Sequence, residues 1–292
     1  MSFSRRILVF GEVLFDVFPN GEQVLGGAPF NVAWHLQALG DQPCFVSRVG
    51  EDAAGSRILA AMCDWGMETS GVQHDSEHAT GRVAVDLIDD EPHYRIVAET
   101  AYDFIDPQQV PEATAGDILY HGSLGIRHKV SRAALERLRE AGPAVFLDVN
   151  LRAPWWSQES LAGWLETARW IKLNLEELRL LGFSDPVQER ALEQFQSRFR
   201  PEQVILTRGE SGALVRSLDG DLSCVAPDPV AELVDTVGAG DAFSAVYLHG
   251  LAGGWPIRKS LETAQRFAAK IIGRRGAVPG ERSFYREFIT AD

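Results

Sequence analysis

An α/β fold is predicted, a mostly parallel sheet covered by helices with a small antiparallel sheet attached, and three observations predict it. Short apolar runs alternate along the chain with segments of helical period. Several of those runs are continuously apolar, as strands covered on both faces are. One region breaks the rhythm: residues 81–88 alternate strictly and a turn follows.

The candidate strands of the main sheet are ILVF (7–10), PCFVSRV (43–49), DILYHGS (117–123), AVFLDVN (144–150), WIKLN (170–174), QVILTRG (203–209) and GALVRSL (212–218). Between them, Pro29 opens a helix that Gly40 closes, with Val32, Ala33, Leu36 and Leu39 on one face. KSLETAQRFAAKIIG places Leu261, Ala264, Ala268 and Ile271 at three- and four-residue steps. In GRVAVDLI (81–88), Val83, Val85 and Leu87 share a face, a turn at Asp89-Asp90-Glu91-Pro92 follows, and HYRIVAE resumes the strand. Alternation sets His93 and Arg95 on one side of that strand and Tyr94 on the other. Such a hairpin is either a flap over a cleft or an ordinary edge hairpin. No linker or repeat divides the chain, so residues 1–292 are expected to form a single α/β domain, with a small β lid drawn from roughly 12–30 and 80–105.

Composition narrows the function. The net charge is −13, with only four lysines and no basic stripe, which argues against nucleic acid and anionic lipid as partners. A phosphate ligand would have to be held without a lysine cradle. Three scattered cysteines, no CxxC and no HExxH argue against zinc or a disulfide framework, and a reducing cytoplasm is the expected compartment. The apolar run after MSFSRR is too short for a signal peptide, and no stretch is long enough to span a bilayer.

The most informative stretch is LVDTVGAGDAFSAVYLHGL (233–251). It is not a P-loop, since no Gly-Lys pair exists, and it is not a dinucleotide loop, since Phe243 stands at the third glycine and DPVAELVDT before it is a weak strand. Gly238, Ala239 and Gly240 leave the backbone open to a ligand, and a helix from Asp241 to Leu251 would present unpaired N–H groups and positive partial charge to it. Asp241 beside an anion pocket reads either as a helix cap or as a base that takes a proton from an attacking hydroxyl.

DTVGAGDAF resembles the C-terminal signature of the ribokinase-like (phosphofructokinase-B) carbohydrate kinases. GGAPFNVA (26–33), GEVLFD (11–16), KLNLEEL (172–178) and LTRGESGA (206–213) resemble that family's other elements, in the family's order and across nearly the whole chain. The resemblance implies a three-layer ribokinase-like fold with a β-sheet lid, and an ATP-dependent kinase using Mg²⁺. It implies Asp241 as catalytic base and Gly238, Ala239 and Gly240 as the anion hole. Asp16, Gly27 and Asn31 match positions that bind sugar hydroxyls; a carboxylate can accept from two hydroxyls, and an amide can donate and accept at once. Asn174 and Glu177 match the pair that organises Mg²⁺ through water, a role two oxygen donors can fill for this ion. Thr207, Gly209, Gly212 and Ala264, with Asn174, match nucleotide-binding positions. Asp235, Val237, Ile271, Arg274 and Gly276 match a monovalent-cation site, with K⁺ the candidate ion. Gly280 stands where relatives can carry a serine, which weakens that match.

GGAPFNVAWHL and DVNLRAPWW most resemble bacterial fructokinases, with Asp148, Asn150, Arg152 and Trp155 or Trp156 filling the second pattern. Asn150 and Arg152 are accordingly sugar-site candidates, and ETAYDFI (99–105) resembles the fructokinase stretch after the flap. Phe30 stands where alanine is usual. Arg152 also suits an acidic sugar such as 2-keto-3-deoxygluconate, and a nucleoside kinase or an inactive sugar-binding relative are the other readings. Pro29, where ribokinases have glycine, argues against ribose. Members of the family often pair through their lids, so a homodimer that covers the lid's open edge is expected.

Overall fold

The computed structural model describes residues 5–88, 91–227 and 234–289, with 87–88 and 91–93 described by their backbone alone. Its strands are β1 (Ile7–Phe10), β2 (Leu14–Val17), β3 (Gln23–Gly26), β4 (Cys44–Gly50), β5 (Val72–Asp75), β6 (Gly81–Ile88), β7 (Glu91–Ile96), β8 (Ile118–His121), β9 (Ala144–Asp148), β10 (Trp170–Asn174), β11 (Gln203–Thr207), β12 (Ala213–Ser217) and β13 (Leu222–Val225). The helices are α1 (Ala28–Leu39), α2 (Ala53–Trp65), α3 (Lys129–Arg139), α4 (Gln158–Thr167), α5 (Leu175–Leu180), α6 (Gln188–Phe199), α7 (Ala239–Ala252), α8 (Ile257–Ile272) and α9 (Arg286–Ile289).

Nine strands form one sheet in the order β13-β12-β11-β10-β9-β8-β1-β4-β5. The run from β11 to β5 is parallel, while β12 and β13 are antiparallel additions at one edge. GALVRSL therefore forms the predicted strand but with reversed direction, because a short turn joins it to β11 and a turn of that length cannot make a parallel crossover. Helices cover both faces. α1, α2, α7 and α8 pack with one core that includes Phe30, Phe45, Phe243 and Phe267, and α3, α4, α5 and α6 pack with the other, which includes Leu119, Leu147, Ile171 and Phe195. This is the expected three-layer arrangement.

α1 departs from the expected one-sided pattern. Phe30, Asn31, Trp34 and His35 are buried along with Val32, Ala33 and Leu36. The cause is a second covering layer: the Trp34 ring stacks on Trp65 of α2 with centroids 4.6 Å apart, and His35 Nδ1 lies 2.9 Å from the Tyr285 hydroxyl. An aromatic pair of this kind contributes about 0.5–1.5 kcal/mol beyond its area.

The second sheet has four strands in the order β3-β2-β6-β7, built from the two segments the sequence nominated. β2 and β3 leave the end of β1 as an antiparallel pair, and β6 joins β2 in parallel with Asp16 opposite Val83. The expected turn residues Asp89 and Asp90, the His93 side chain and most of DPVAELVDT lie outside the described residues. Tyr94 is exposed on β7.

Chain order fixes where a ligand would sit. From β1 the chain moves to β4 on one side and later to β8 on the other. The strand order thus reverses at β1 and β8, and open α/β sheets bind ligands beyond the C-terminal strand ends at such a point.

Candidate active site

α7 begins at Ala239, two residues before the expected start, with Gly238 as its N-cap and no side-chain cap. Gly238 has φ 81°, and a Cβ there would lie 2.4 Å from Ala277 Cβ, so this turn needs glycine on both conformational and steric grounds. An uncapped helix start leaves backbone N–H groups without intrahelical partners and adds positive partial charge.

Asp241 is the third residue of α7, and its side chain is not the cap. One carboxylate oxygen accepts from Asn31 Nδ2 at 2.8 Å, joining two residues 210 positions apart in the chain. Asn31 is 4% exposed within α1. Its Oδ1 is buried without a hydrogen-bond partner among the described residues, leaving an acceptor open to a ligand. Burial raises Asp241 to about 6; the Asn31 hydrogen bond, Lys172 and Arg152 oppose the rise, and Asp148 adds to it. Asp241 is therefore mostly ionised at neutral pH, yet more basic than a solvated aspartate.

Of the other expected sugar positions, the Gly27 carbonyl accepts from the Asn31 N–H and the charge of Arg152 acts on Asp241. Asp16 sits on β2 and is raised to about 6 by burial, with Arg152 opposing. Gly27 has φ 110° and precedes α1 where a Cβ would meet the Glu12 carbonyl oxygen at 2.6 Å. Asn150 takes φ 37° at the end of β9. Arg152 is exposed, and its charge acts on Asp16, Asp241 and Glu12 alike.

Asn174 and Glu177 form a reciprocal cap at the start of α5. Asn174 Oδ1 accepts from the Glu177 N–H at 2.9 Å, and Glu177 Oε2 accepts from the Asn174 N–H at 2.8 Å. Glu177 Oε1 accepts from the Leu151 N–H at 2.9 Å, tying α5 to the Asn150–Arg152 segment. Glu177 is 7% exposed, not a solvated helix charge. Burial raises it, with Lys172 opposing. Asn174 and Thr207 are register partners on β10 and β11, so they stand at one level of the sheet. Beyond Thr207 the chain turns sharply, with the Arg208 N–H donating to the Gly212 carbonyl at 2.8 Å and the Gly212 N–H to the Gly209 carbonyl at 3.0 Å. Ala264 differs from these: it lies on the core-facing side of α8, fully buried, and shows no surface to a ligand.

Asp235 bridges the segments expected to hold a monovalent cation. Its carboxylate accepts from Val237 N–H at 2.9 Å and Gly276 N–H at 3.2 Å. Its own N–H donates to the Ile272 carbonyl at 3.2 Å, and Arg274 N–H donates to Ile271 at 3.1 Å. Among the described residues no group of three or more His, Cys, Asp or Glu side chains could hold a metal ion, and no helix is long and apolar enough to cross a membrane.

Two residues of the site were not singled out from the sequence. Lys172 is 6% exposed and pairs with Asp148 at 3.0 and 3.1 Å, and Asp148 also accepts from Ser244 Oγ at 2.8 Å. Burial pulls the Lys172 ammonium down, but Asp148, Glu177 and Asp241 outweigh it and leave the group raised. A Cβ on Gly240 would lie 3.1 Å from Lys172 Nζ, so one lysine does stand beneath the glycine turn despite the scarcity of lysines. Glu12, in the GEVLFD segment, is 3% exposed. Its signal was a charge directly after an apolar strand.

An uncapped helix start, with a buried carboxylate at its third position, and a reversal point in a parallel sheet are features of this fold that suit an anionic ligand. A family model for the pfkB family carbohydrate kinases matches residues 6–282, and the chain belongs to that family: it is a carbohydrate kinase. It is 33% identical to a fructokinase of Klebsiella pneumoniae, over 85% of this chain and 84% of that one. It is 31% identical to a fructokinase of Salmonella typhimurium, over 98% of this chain and 100% of the other. The crystal structure of the Vibrio cholerae O395 fructokinase, in a fructose, ADP and calcium ion bound form, superimposes with a TM-score of 0.85 at 26% identity, covering 97% of this chain and 98% of that one.

Proposed function

We propose that this carbohydrate kinase transfers the terminal phosphoryl group of ATP to a hydroxyl of fructose. The observation that carries the reading is the Asn31–Asp241 hydrogen bond of 2.8 Å, which fixes a polar acceptor-side residue and a carboxylate at the uncapped start of α7. The likeness to two fructokinases over most or all of their lengths supports the choice of sugar.

In this mechanism Asp16, Asn31 and the backbone at Gly27 orient the sugar beneath the small sheet, which acts as a lid. Asp241 takes the proton of the attacking hydroxyl. The amides of the Gly238–Asp241 turn and the α7 dipole stabilise the negative charge that gathers on the transferred group. Lys172 lies under the same turn and adds positive charge. Thr207 and the Gly209–Gly212 turn receive the nucleotide. Asn174 and Glu177 present oxygen donors suited to Mg²⁺, and, with no cluster of three metal-ligating side chains among the described residues, they would hold it together with water and phosphate oxygens. When bound, the ion neutralises phosphate charge. Asp235 and the backbone at Val237, Ile271, Arg274 and Gly276 form the corresponding place for K⁺ beside the turn.

The test is ADP release with ATP and Mg²⁺, compared as kcat/KM across fructose, ribose, 2-keto-3-deoxygluconate and adenosine. Fructose is expected to give the highest value. A higher value for the keto-acid would assign Arg152 to a carboxylate substrate, and sugar binding without turnover on any acceptor would mark a protein that has lost the chemistry.

The pH profile follows from the two raised carboxylates. Asp241 works as a base only when ionised, and Asp16 accepts hydroxyl protons best when ionised; both lie near about 6. Activity is therefore lost as pH falls through 6, and kcat/KM for the sugar should fall with a slope between one and two on a logarithmic plot. Asp16→Asn should lower that slope. A flat profile from about pH 5 to 8 would contradict both assignments.

A further inference from the structure

Glu12 has no place in the mechanism above, yet it is the most anomalous polar group near the site. It follows β1 at the point where the strand order reverses, between β1 and the β2 strand that carries Asp16. It is 3% exposed, and its Oε2 has no hydrogen-bond partner among the described residues. Gly125, which follows β8 on the other side of the reversal, makes room for it: a Cβ there would lie 3.3 Å from Oε2 and 2.7 Å from Gly11 Cα. The charges of Asp241, Arg152 and Arg127 all act on it, so it shares its surroundings with the base and with the arginine that faces Asp16. The positive charge of Arg127 favours its ionised form, but Arg127 makes its hydrogen bonds elsewhere. That guanidinium donates to both oxygens of Asp103 at 2.7 Å and to the Val97 carbonyl at 2.6 Å, and it lies over the Trp155 ring at 4.3 Å. The Tyr102 hydroxyl, which lies in the same region, is also buried without a hydrogen-bond partner within normal distance among the described residues.

A buried carboxylate oxygen left unpaired costs stability. A bound polyol removes the cost by donating a hydroxyl to it. We propose that Glu12 is a substrate-binding residue whose Oε2 accepts a hydrogen bond from a sugar hydroxyl other than the one Asp241 deprotonates. Glu12 then selects for an acceptor with a donor at that position. The inference rests on the reading of a sugar acceptor.

The experiment measures fructose affinity by calorimetry without nucleotide, steady-state kinetics, and thermal unfolding, for the wild type, Glu12→Gln and Glu12→Asp. At pH 8, where Glu12, raised by burial to about 7, is mostly ionised, both variants should bind fructose about 10–100-fold more weakly, the loss for a hydrogen bond to a charged group. Their KM for fructose should rise in step while kcat and the KM for ATP change little. Glu12→Gln should unfold at an equal or higher temperature than the wild type, a change opposite in sign to the loss of a structural contact. Among monodeoxy-fructose analogues, one should bind wild type and Glu12→Gln equally, because it lacks the hydroxyl that Glu12 receives. Fructose affinity within twofold of wild type in both variants, or no analogue that equalises them, overturns the inference while leaving the sugar kinase reading intact. If Glu12→Gln does not fold, the affinity of Glu12→Asp alone decides. Absence of fructose turnover by the wild type overturns the acceptor reading and this inference with it.

Discussion

Replacing Asp241 by asparagine is expected to lower kcat by about 10²–10⁴-fold, the usual loss on removing a general base. The amide is nearly isosteric and still offers an oxygen to Asn31 Nδ2, which donates to Asp241 at 2.8 Å, so the α1–α7 junction should persist. What disappears is the proton acceptor. The surroundings make Asp241 a stronger base than a solvated carboxylate: burial lifts it to about 6, and roughly a tenfold excess remains ionised at pH 7. The effect should fall on kcat, with the KM for ATP little changed, because a base acts in the transition state and not in nucleotide binding. Activity within a few-fold of wild type would remove Asp241 from this role and return it to the structural readings.

Lys172→Met is expected to destabilise the fold by about 3–5 kcal/mol, the cost of removing one partner from a buried ion pair. Lys172 holds both oxygens of Asp148, which is 0% exposed; without the ammonium the carboxylate keeps, among the described residues, Ser244 Oγ at 2.8 Å and the Tyr120 hydroxyl at 3.3 Å. Urea unfolding of the single variant and of the double variant with Asp148→Leu separates pair from packing. The double variant should recover much of the loss, since an apolar pair carries no unpaired charge. A single variant within about 1 kcal/mol of wild type would mean that water or relaxation screens Asp148. The double variant should nevertheless stay catalytically weak, because positive charge beneath Gly240 is gone.

The strands of the main sheet were largely legible, because a strand covered on both faces must be apolar throughout. β1 and β10 match the sequence reading residue for residue. β13, an edge strand of LSCV with mixed exposure, carries no such pattern and was missed. The direction of β12 was also hidden, since an apolar run does not reveal its neighbour's polarity. α1 misled in the opposite sense: its helical period was clear, but the extra covering from Trp65 and Tyr285 comes from residues far along the chain.

In the site, chemistry concentrated in contiguous glycine-rich stretches was readable, and chemistry created by tertiary contact was not. Asp241 and the Gly238–Gly240 turn stand together in sequence. The contact between Asn31 and Asp241, the pairing of Lys172 with Asp148 and the isolation of Glu12 exist only once the sheet has assembled. Glu12 lies two residues past β1 and Lys172 in the middle of β10, and a charge at either position does not reveal its surroundings in sequence.

The most direct test is a crystal structure of the protein with fructose and a non-hydrolysable ATP analogue. The account predicts the terminal phosphate within hydrogen-bond reach of the main-chain amides at residues 238–241, with the acceptor hydroxyl between it and the Asp241 carboxylate. A terminal phosphate bound elsewhere, or a sugar whose hydroxyls all lie beyond reach of Asp241, would contradict it.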